Sequence, residues 1–426
     1  MAMNTPSAVP ASRSVAGLFN VRDWRIRNKL LALFLIFGIV PSGILGGLTF
    51  RVFRDVVSNQ AASSLLGHSV STSSAVDQYL TDKREDIVAA SQLPEFGTYF
   101  ANPNDIANQQ TALRALRALA NRADYESVAL ANPEGLQVIS SSTGDVGINI
   151  AFRPYFQEAL KGNSYISDPS VAIATNRPAI FFSAPIRDVS NKVIGVIRAR
   201  VSLSGIWGLV ERDKDVAGKG SYGMLLDENG IRLANSLSLG RRDQMEGSLL
   251  LYTAIAPVSP EIEKALVTEK RFGSATAAQV QVVAIPEVAN ALVTPGVKTF
   301  ETSSDNNAER NFAAIASLNT KPWRYVVMSP FSSFFSELNV WSTIYIIANL
   351  ILIGVILIVS YFVAAGFTNP INRLTQVADR ISLGELDAQI DVNRKDEIGE
   401  LAEAVSRMQA SLQAAIERLR ARRTNQ

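Results

Sequence analysis

The sequence predicts an α+β protein: two stacked small modules on a long stalk helix, two membrane-spanning helices, and a C-terminal helical coiled coil. Three observations carry this. Long uncharged apolar runs stand at residues 30–50 and 340–367. Between them the hydrophobic pattern begins helical and then changes to period two. After the second run, a seven-residue apolar spacing takes over.

The run Leu30 to Phe50 measures about 31 Å as a helix, the thickness of a bilayer's hydrocarbon core. It is too long for a cleaved signal peptide, and no small-x-small cleavage site follows, so an uncleaved anchor is expected. Gly43 and Gly47 make one small-xxx-small pair, a potential helix contact. The second run has Trp341 and Tyr345 at one end and Tyr361 near the other, where aromatic belts sit. Arg13, Arg22, Arg25, Arg27 and Lys29 precede the first run against a single Asp23, and Arg373 and Arg380 follow the second. Basic flanks of this kind put both termini in the cytoplasm and residues 51–339 outside, in the periplasm of a bacterium. A multi-pass protein of the bacterial inner (cell) membrane is the expectation, with a Ser/Ala/Pro-rich cytoplasmic tail over 1–29.

Composition excludes several classes. A net charge of +2 at pH 7 argues against nucleic acid as a partner. Having no cysteine removes thiolate chemistry, disulfides and Cys-ligated zinc. His68 is the only histidine and sits among polar stalk residues, where ordinary surface is the expected role.

From Arg51 to about Leu93, the residues Val56, Val57, Ala61, Leu65, Val70, Ala75 and Leu80 recur at three- to five-residue steps, predicting a stalk helix that continues the first span. A second helix follows Asn104, with Leu113, Leu116 and Ala120 on its apolar face. Ser127 to Leu130, the turn Asn132-Pro133-Glu134-Gly135, and Leu136 to Ile139 read as a hairpin. Tyr222 to Leu226, Asp227-Glu228-Asn229-Gly230, and Ile231 to Ala234 repeat it. A second hairpin, Ala179 to Pro185 with Val193 to Leu203, is echoed by Phe312 to Ala316 with Trp323 to Met328. Two modules, each opening and closing with a hairpin, are expected: a membrane-distal one over about 51–215 and a proximal one over about 216–335. The stretch from about Arg241 to Asp305 gives no readable elements.

A stalk helix followed by two antiparallel-sheet modules resembles the double Cache (PAS-like) sensor domains of bacterial chemoreceptor-like proteins. The most specific piece is Ile150-Ala151-Phe152-Arg153-Pro154-Tyr155-Phe156-Gln157-Glu158-Ala159, followed by Gly162 and Ile166-Ser167. It resembles the family's R-x-[WY]-[YF]-x-x-A…G segment in the distal module. The resemblance implies that Arg153 grips a ligand carboxylate, with Tyr155, Phe156 and Phe181 lining the pocket. A guanidinium suits that role because it makes two parallel charge-assisted hydrogen bonds. The family's ammonium-reading aspartate follows a G-V-x-G-x-D strand. Here that strand reads Gly195-Val196-Ile197-Arg198-Ala199-Arg200, so Arg200 stands in the aspartate's place, and Ile148 replaces the leading tyrosine. A small anion without an amine, such as a carboxylic acid, is therefore the expected ligand. On strand alternation alone, Arg198 and Arg200 share one face, and a solvated face remains the plainer alternative.

Past Phe367, Ile371, Leu374, Ala378 and Ile381 follow a 3-4-3 seam, with Pro370 in the first turn and Gly384 ending the helix. Asp396 is a candidate N-cap, with Glu397 and Glu400 in the next turn. Ile398, Val405, Leu412 and Leu419 stand seven apart, as do Leu401, Met408 and Ala415. Two short heptad helices need a partner to bury their seams, and a homodimer supplies a four-helix bundle. The proline, Gly384-Glu385-Leu386 and Asp396-Glu397-Ile398-Gly399-Glu400-Leu401 resemble a HAMP domain over 368–422, despite Val405-Ser406 where the family has Phe-Asn. The resemblance implies a relay in which Pro370, Gly384 and Glu397 take part.

No phosphoacceptor histidine, cyclase motif or phosphate loop follows, and no enzyme and no cofactor is expected. The chain ends within a few residues of the seam, so output is expected from a separate cytoplasmic signalling protein. A membrane-anchored ligand-binding or adapter protein, and the sensor fragment of a transmembrane cyclase or kinase, remain alternatives.

Overall fold

The computed structural model describes residues 24, 26–237, 253–268, 271, 280–303 and 309–424. Most of the expected cytoplasmic tail, and residues 241–252, 269–270, 272–279 and 304–305 of the unreadable stretch, lie outside the described residues. The chain divides into two compact units, 54–336 and the segments 1–53 with 337–426.

Helix α1 (Ile26–Ser91) runs without a break through Pro41. In the unit 54–336, α1 is followed by α2 (Pro94–Ala101) and α3 (Ile106–Ala120). The Asp105 carboxylate caps α3 by accepting from the backbone N–H of Ala107 and Asn108. The first module then has β1 (Tyr125–Ala131), β2 (Gln137–Ser140), α4 (Pro154–Leu160), β3 (Tyr165–Ile166), β4 (Ser170–Val171), β5 (Pro178–Arg187), β6 (Val193–Ser202) and α5 (Ser204–Glu211). The second has β7 (Tyr222–Leu226), β8 (Arg232–Asn235), α6 (Pro260–Thr268), α7 (Pro286–Val293), β9 (Thr299–Ser303), β10 (Arg310–Ser317) and β11 (Arg324–Pro330).

The sheets share one antiparallel order, β2-β1-β6-β5-β3 in the first and β8-β7-β11-β10-β9 in the second. In each, the closing hairpin returns its last strand to the first strand of the module, pairing β6 with β1 and β11 with β7. This is the repeat the two pairs of hairpins predict. Gly135 and Gly230 take positive φ in the matching turns, a conformation that favours glycine.

One apolar core joins α1 to both sheets through Leu65, Leu80, Val128, Ile197, Leu225, Trp323 and Tyr325. The buried face of α1 differs from the predicted apolar set. Ala61, Leu65, Val76, Leu80 and Ile87 are buried with Ser69, Thr72 and Ser73, whereas Val56 and Val70 are exposed. The small hydroxyls satisfy themselves inside: Ser69 Oγ donates to the Tyr325 carbonyl at 2.8 Å and Thr72 Oγ1 to Asp213 at 2.7 Å. Hydrophobic periodicity overlooks such residues.

In the other unit, α8 (Phe331–Val363) passes through a π-turn at Ala364–Thr368 into α9 (Asn369–Ser382). Pro370 lacks the N–H that an α-helical turn needs, and the wider turn before it absorbs that defect. Gly384 ends α9 at φ +91°. Helix α10 (Glu397–Thr424) starts from Asp396, whose carboxylate accepts from the N–H of Ile398 and Gly399 at 3.2 Å each. Among the described residues, two helices are long and apolar enough to cross a membrane, spanning Leu31–Ser91 and Val340–Ser382. They touch where Ser42 Oγ donates to Asn349 Oδ1 at 2.7 Å. A Cβ at Gly38 or Gly46 would collide with Ile356 or Tyr345, whereas Gly43 and Gly47 have open space around them. The close glycine approach thus falls on a neighbouring pair, because which stripe of a helix meets its partner is a tertiary matter.

Candidate functional site

Strand β6 lies at the centre of the first sheet, between β1 and β5. Its alternation sends Ile197, Ala199 and Val201 into the core shared with α1. Val196, Arg198 and Arg200 therefore take the opposite face. That face is not solvated: Arg198 and Arg200 are 2% and 3% exposed. Helix α4 and the segment after β4 cover it. Arg153, just before α4, is also buried. The Tyr155 ring stacks on Phe181 at 4.9 Å between centroids, and Ser183 Oγ donates to the Tyr155 carbonyl at 2.6 Å.

Arg153, Arg198 and Arg200 line a small cavity together with Gln137 and Asp145. Its other walls are Ile148, Ile150, Phe181 and Ala172 to Ala174, all apolar, and Tyr155, which adds a phenol. The free space is about 20 Å³, room for little more than one water. The cavity is closed down around its charges.

Buried guanidiniums need partners, and β1, β2 and one short turn supply them. Arg198 donates to Ser127 Oγ at 2.9 Å and to Gln137 Oε1, and its guanidinium lies 5.6 Å from the Phe181 ring centre. Arg200 donates through Nε to Glu126 at 2.9 Å and through Nη1 to Asp145 Oδ1 at 2.6 Å. Asp145 Oδ2 faces Arg198 at 3.3 Å. Asp145 ends a single 3₁₀ turn, Thr143–Asp145, and is 1% exposed. Burial alone would raise its carboxyl, but Arg198, a Ser127 hydrogen bond and Arg200 outweigh that and hold it below the usual carboxylate range. Burial lowers Arg198 in turn, opposed by Asp145. Burial also raises the Tyr155 phenol, which stays neutral.

Of the residues singled out by sequence, Arg153, Tyr155, Phe181 and Arg200 meet at this cavity. Phe156 does not line it. It is buried in the apolar cluster beside it, with Ile150, Ala159 and Val196. Sequence reasoning missed Arg198, Asp145, Gln137 and Glu126. Arg198 had a signal, since it shares a strand face with Arg200. The acids had none, because a single carboxylate in a polar turn looks like a turn former. Pro370 and Glu397 fall in the first turns of α9 and α10, and Gly384 at the end of α9. Among the described residues, no group of three or more His, Asp or Glu could hold a metal ion.

Residues 51–338 match the family model of the Cache domain, and residues 362–414 match that of the HAMP domain. A probable methyl-accepting chemotaxis protein of Bacillus thuringiensis subsp. konkukian is 23% identical over 403 residues, covering 93% of this chain and 53% of that protein. The methyl-accepting chemotaxis protein TlpA of Bacillus subtilis is 38% identical over 74 residues, covering 17% of this chain and 11% of that one. The chain thus spans about half the length of the first relative and a ninth of the second. The solved sensor domain of the V. cholerae histidine kinase DctB superposes with a TM-score of 0.50 at 16% identity, over 65% of this chain and 98% of that one. At that identity the likeness is one of fold.

Proposed function

Since the chain belongs to the Cache-domain family and carries a HAMP match after its second apolar helix, we propose that it is a transmembrane receptor for a small amine-free carboxylate. The ligand enters the cavity of the first module, which must widen beyond its present free space of about 20 Å³ to admit it. The segments are assigned as a cytoplasmic tail (1–29), a span (30–50), an external double Cache region (51–339), a second span (340–367) and a HAMP domain (368–422). Basic flanks support an inner-membrane orientation with both termini cytoplasmic. The single observation carrying the ligand class is the arrangement on β6. Three buried guanidiniums meet at one cavity, and both oxygens of its one carboxylate, Asp145, face arginines. An ammonium group entering there meets like charge and no open acceptor of opposite charge.

Transmission follows the backbone. Phe331, Phe334 and Phe335 at the start of α8 pack around Phe312 of β10, the nearest ring 4.1 Å away. A shift in the second sheet therefore acts on the helix that leads into the HAMP segment. In the single chain, the seam residues Leu401, Met408, Leu412 and Leu419 are exposed, which supports a homodimer through this bundle. A two-state bundle would pass the change to a separate cytoplasmic signalling protein.

Propionate and alanine, which differ by the amine, test the ligand class by thermal stabilisation of the full chain in lipid nanodiscs. Propionate is expected to stabilise and alanine not. Arg153→Ala should cost about 1.5–3 kcal/mol of propionate binding, the worth of a charge-assisted hydrogen bond. Equal stabilisation by alanine, or unchanged propionate binding in the variant, would overturn the assignment.

A further inference from the structure

Arg198 and Arg200 stand two residues apart on one strand face, roughly 7 Å along the chain. Two guanidiniums held that way in a buried cavity form a socket for one bridging carboxylate. The protein fills that socket itself. The Asp145 carboxylate spans the pair, with Oδ1 2.6 Å from Arg200 and Oδ2 3.3 Å from Arg198. Glu126 takes the Nε of Arg200, and Ser127 and Gln137 take further donors of Arg198. The remaining walls, Ile148, Ile150, Ile173 and the Tyr155–Phe181 stack, are mainly apolar, the neutral Tyr155 phenol being their one polar side-chain group.

We propose that Asp145 is the specificity-determining residue of this cavity: it occupies the place of a second ligand carboxylate, so the receptor takes monocarboxylates with an apolar body and rejects dicarboxylates. The inference rests on the carboxylate reading given above. A dicarboxylate held by Arg153 at one end must bring its other charge against Asp145 or against the apolar wall. Both are unfavourable, the first by like-charge repulsion and the second by desolvation. Rejection is thus built in as a repulsive element, while Arg153 supplies the attraction.

Butyrate and succinate test it, because they share four carbons and differ by one carboxylate. Binding is read by titration calorimetry on the full chain in nanodiscs. The intact protein should bind butyrate at least about tenfold more tightly than succinate. In Asp145→Asn, which keeps the side-chain shape and removes the charge, the ratio should move toward succinate by about tenfold or more. Asp188→Asn, the same charge change at the β5–β6 turn, should leave the ratio as it is. Succinate binding as tightly as butyrate to the unaltered protein overturns the proposal without any variant, so a poorly folding Asp145→Asn does not shield it. An unchanged ratio in a folded Asp145→Asn overturns it too, as does an equal shift in Asp188→Asn. If no carboxylate binds any form, the carboxylate reading itself falls, and this inference with it.

Discussion

On β6 of the first module, the face turned away from α1 carries Val196, Arg198 and Arg200. On β11 of the second, the face turned away from α1 carries Val326 and Met328, packed with Tyr222, Met224, Leu226, Ala313 and Ile315. The strand order is the same, but the central strands differ: the buried arginine of the second sheet, Arg232, stands on the edge strand β8, where it donates to Thr253 Oγ1 and the Val283 carbonyl. In the second module, apolar side chains fill the space under α7, with Ile285 and Val288 among them. In the first, charges hold a cavity at that level, and Asp145 and Glu126 make the charges tolerable. One sheet order thus accommodates either a charged cavity or an apolar packing against its central strand, according to the residues at alternate positions of that strand.

The largest effect expected from breaking this contrast comes from Met328→Arg, which places an arginine on the second sheet without the acids of the first. An uncompensated buried charge should cost about 3–5 kcal/mol, read as a fall in the thermal unfolding midpoint. Near-neutral behaviour would show that the acids are not what makes arginine acceptable on the central strand of this sheet. A smaller effect is expected where the modules are tied together. Asp168 accepts from Trp323 Nε1 and Lys321 Nζ at 3.0 Å each, linking the loop before β4 to the second module. Asp168→Ala should cost about 1.5–3 kcal/mol in urea unfolding. A loss below about 0.5 kcal/mol would mark the bridge as dispensable surface charge.

The smallest change is expected from pH, since burial works against the arginines at Asp145 and only the difference shows. Its carboxyl is held below the ordinary range, so its contribution is present above about pH 4 and is lost as pH falls through the lowered value. The stability gap between the unaltered protein and Asp145→Asn should therefore narrow on acidification below about pH 4. Thermal unfolding from neutral to acidic pH checks this. A gap that stays constant would mean that Asp145 acts through shape and not through charge.

Much of the scaffold was readable because its signals are local. Asn132 to Gly135 and Asp227 to Gly230 announce their turns, and Tyr222 to Leu226 forms a strand over the expected residues. Gly384 and Asp396 mark the helix boundaries after the second apolar run. The stalk was legible as a helix but not in its buried face, because Ser69, Thr72 and Ser73 are core residues that no hydrophobicity pattern detects. Helices α6 and α7 lie in the stretch that gave no pattern, each starting at a proline, Pro260 and Pro286.

By itself the sequence determined the two apolar helices, the repeated hairpins, the HAMP-like seam and the position of Arg153, since each depends on residues within a few turns or one strand. Only the tertiary structure decided that β6 pairs with β1, which brings Glu126 and Ser127 alongside Arg200 and Arg198 from more than 70 residues away. It also decided that Asp145 reaches both arginines from its own turn. Periodicity reports which face of an element is apolar. It carries no information on which distant segment will cover that face, and the character of this cavity depends on that cover.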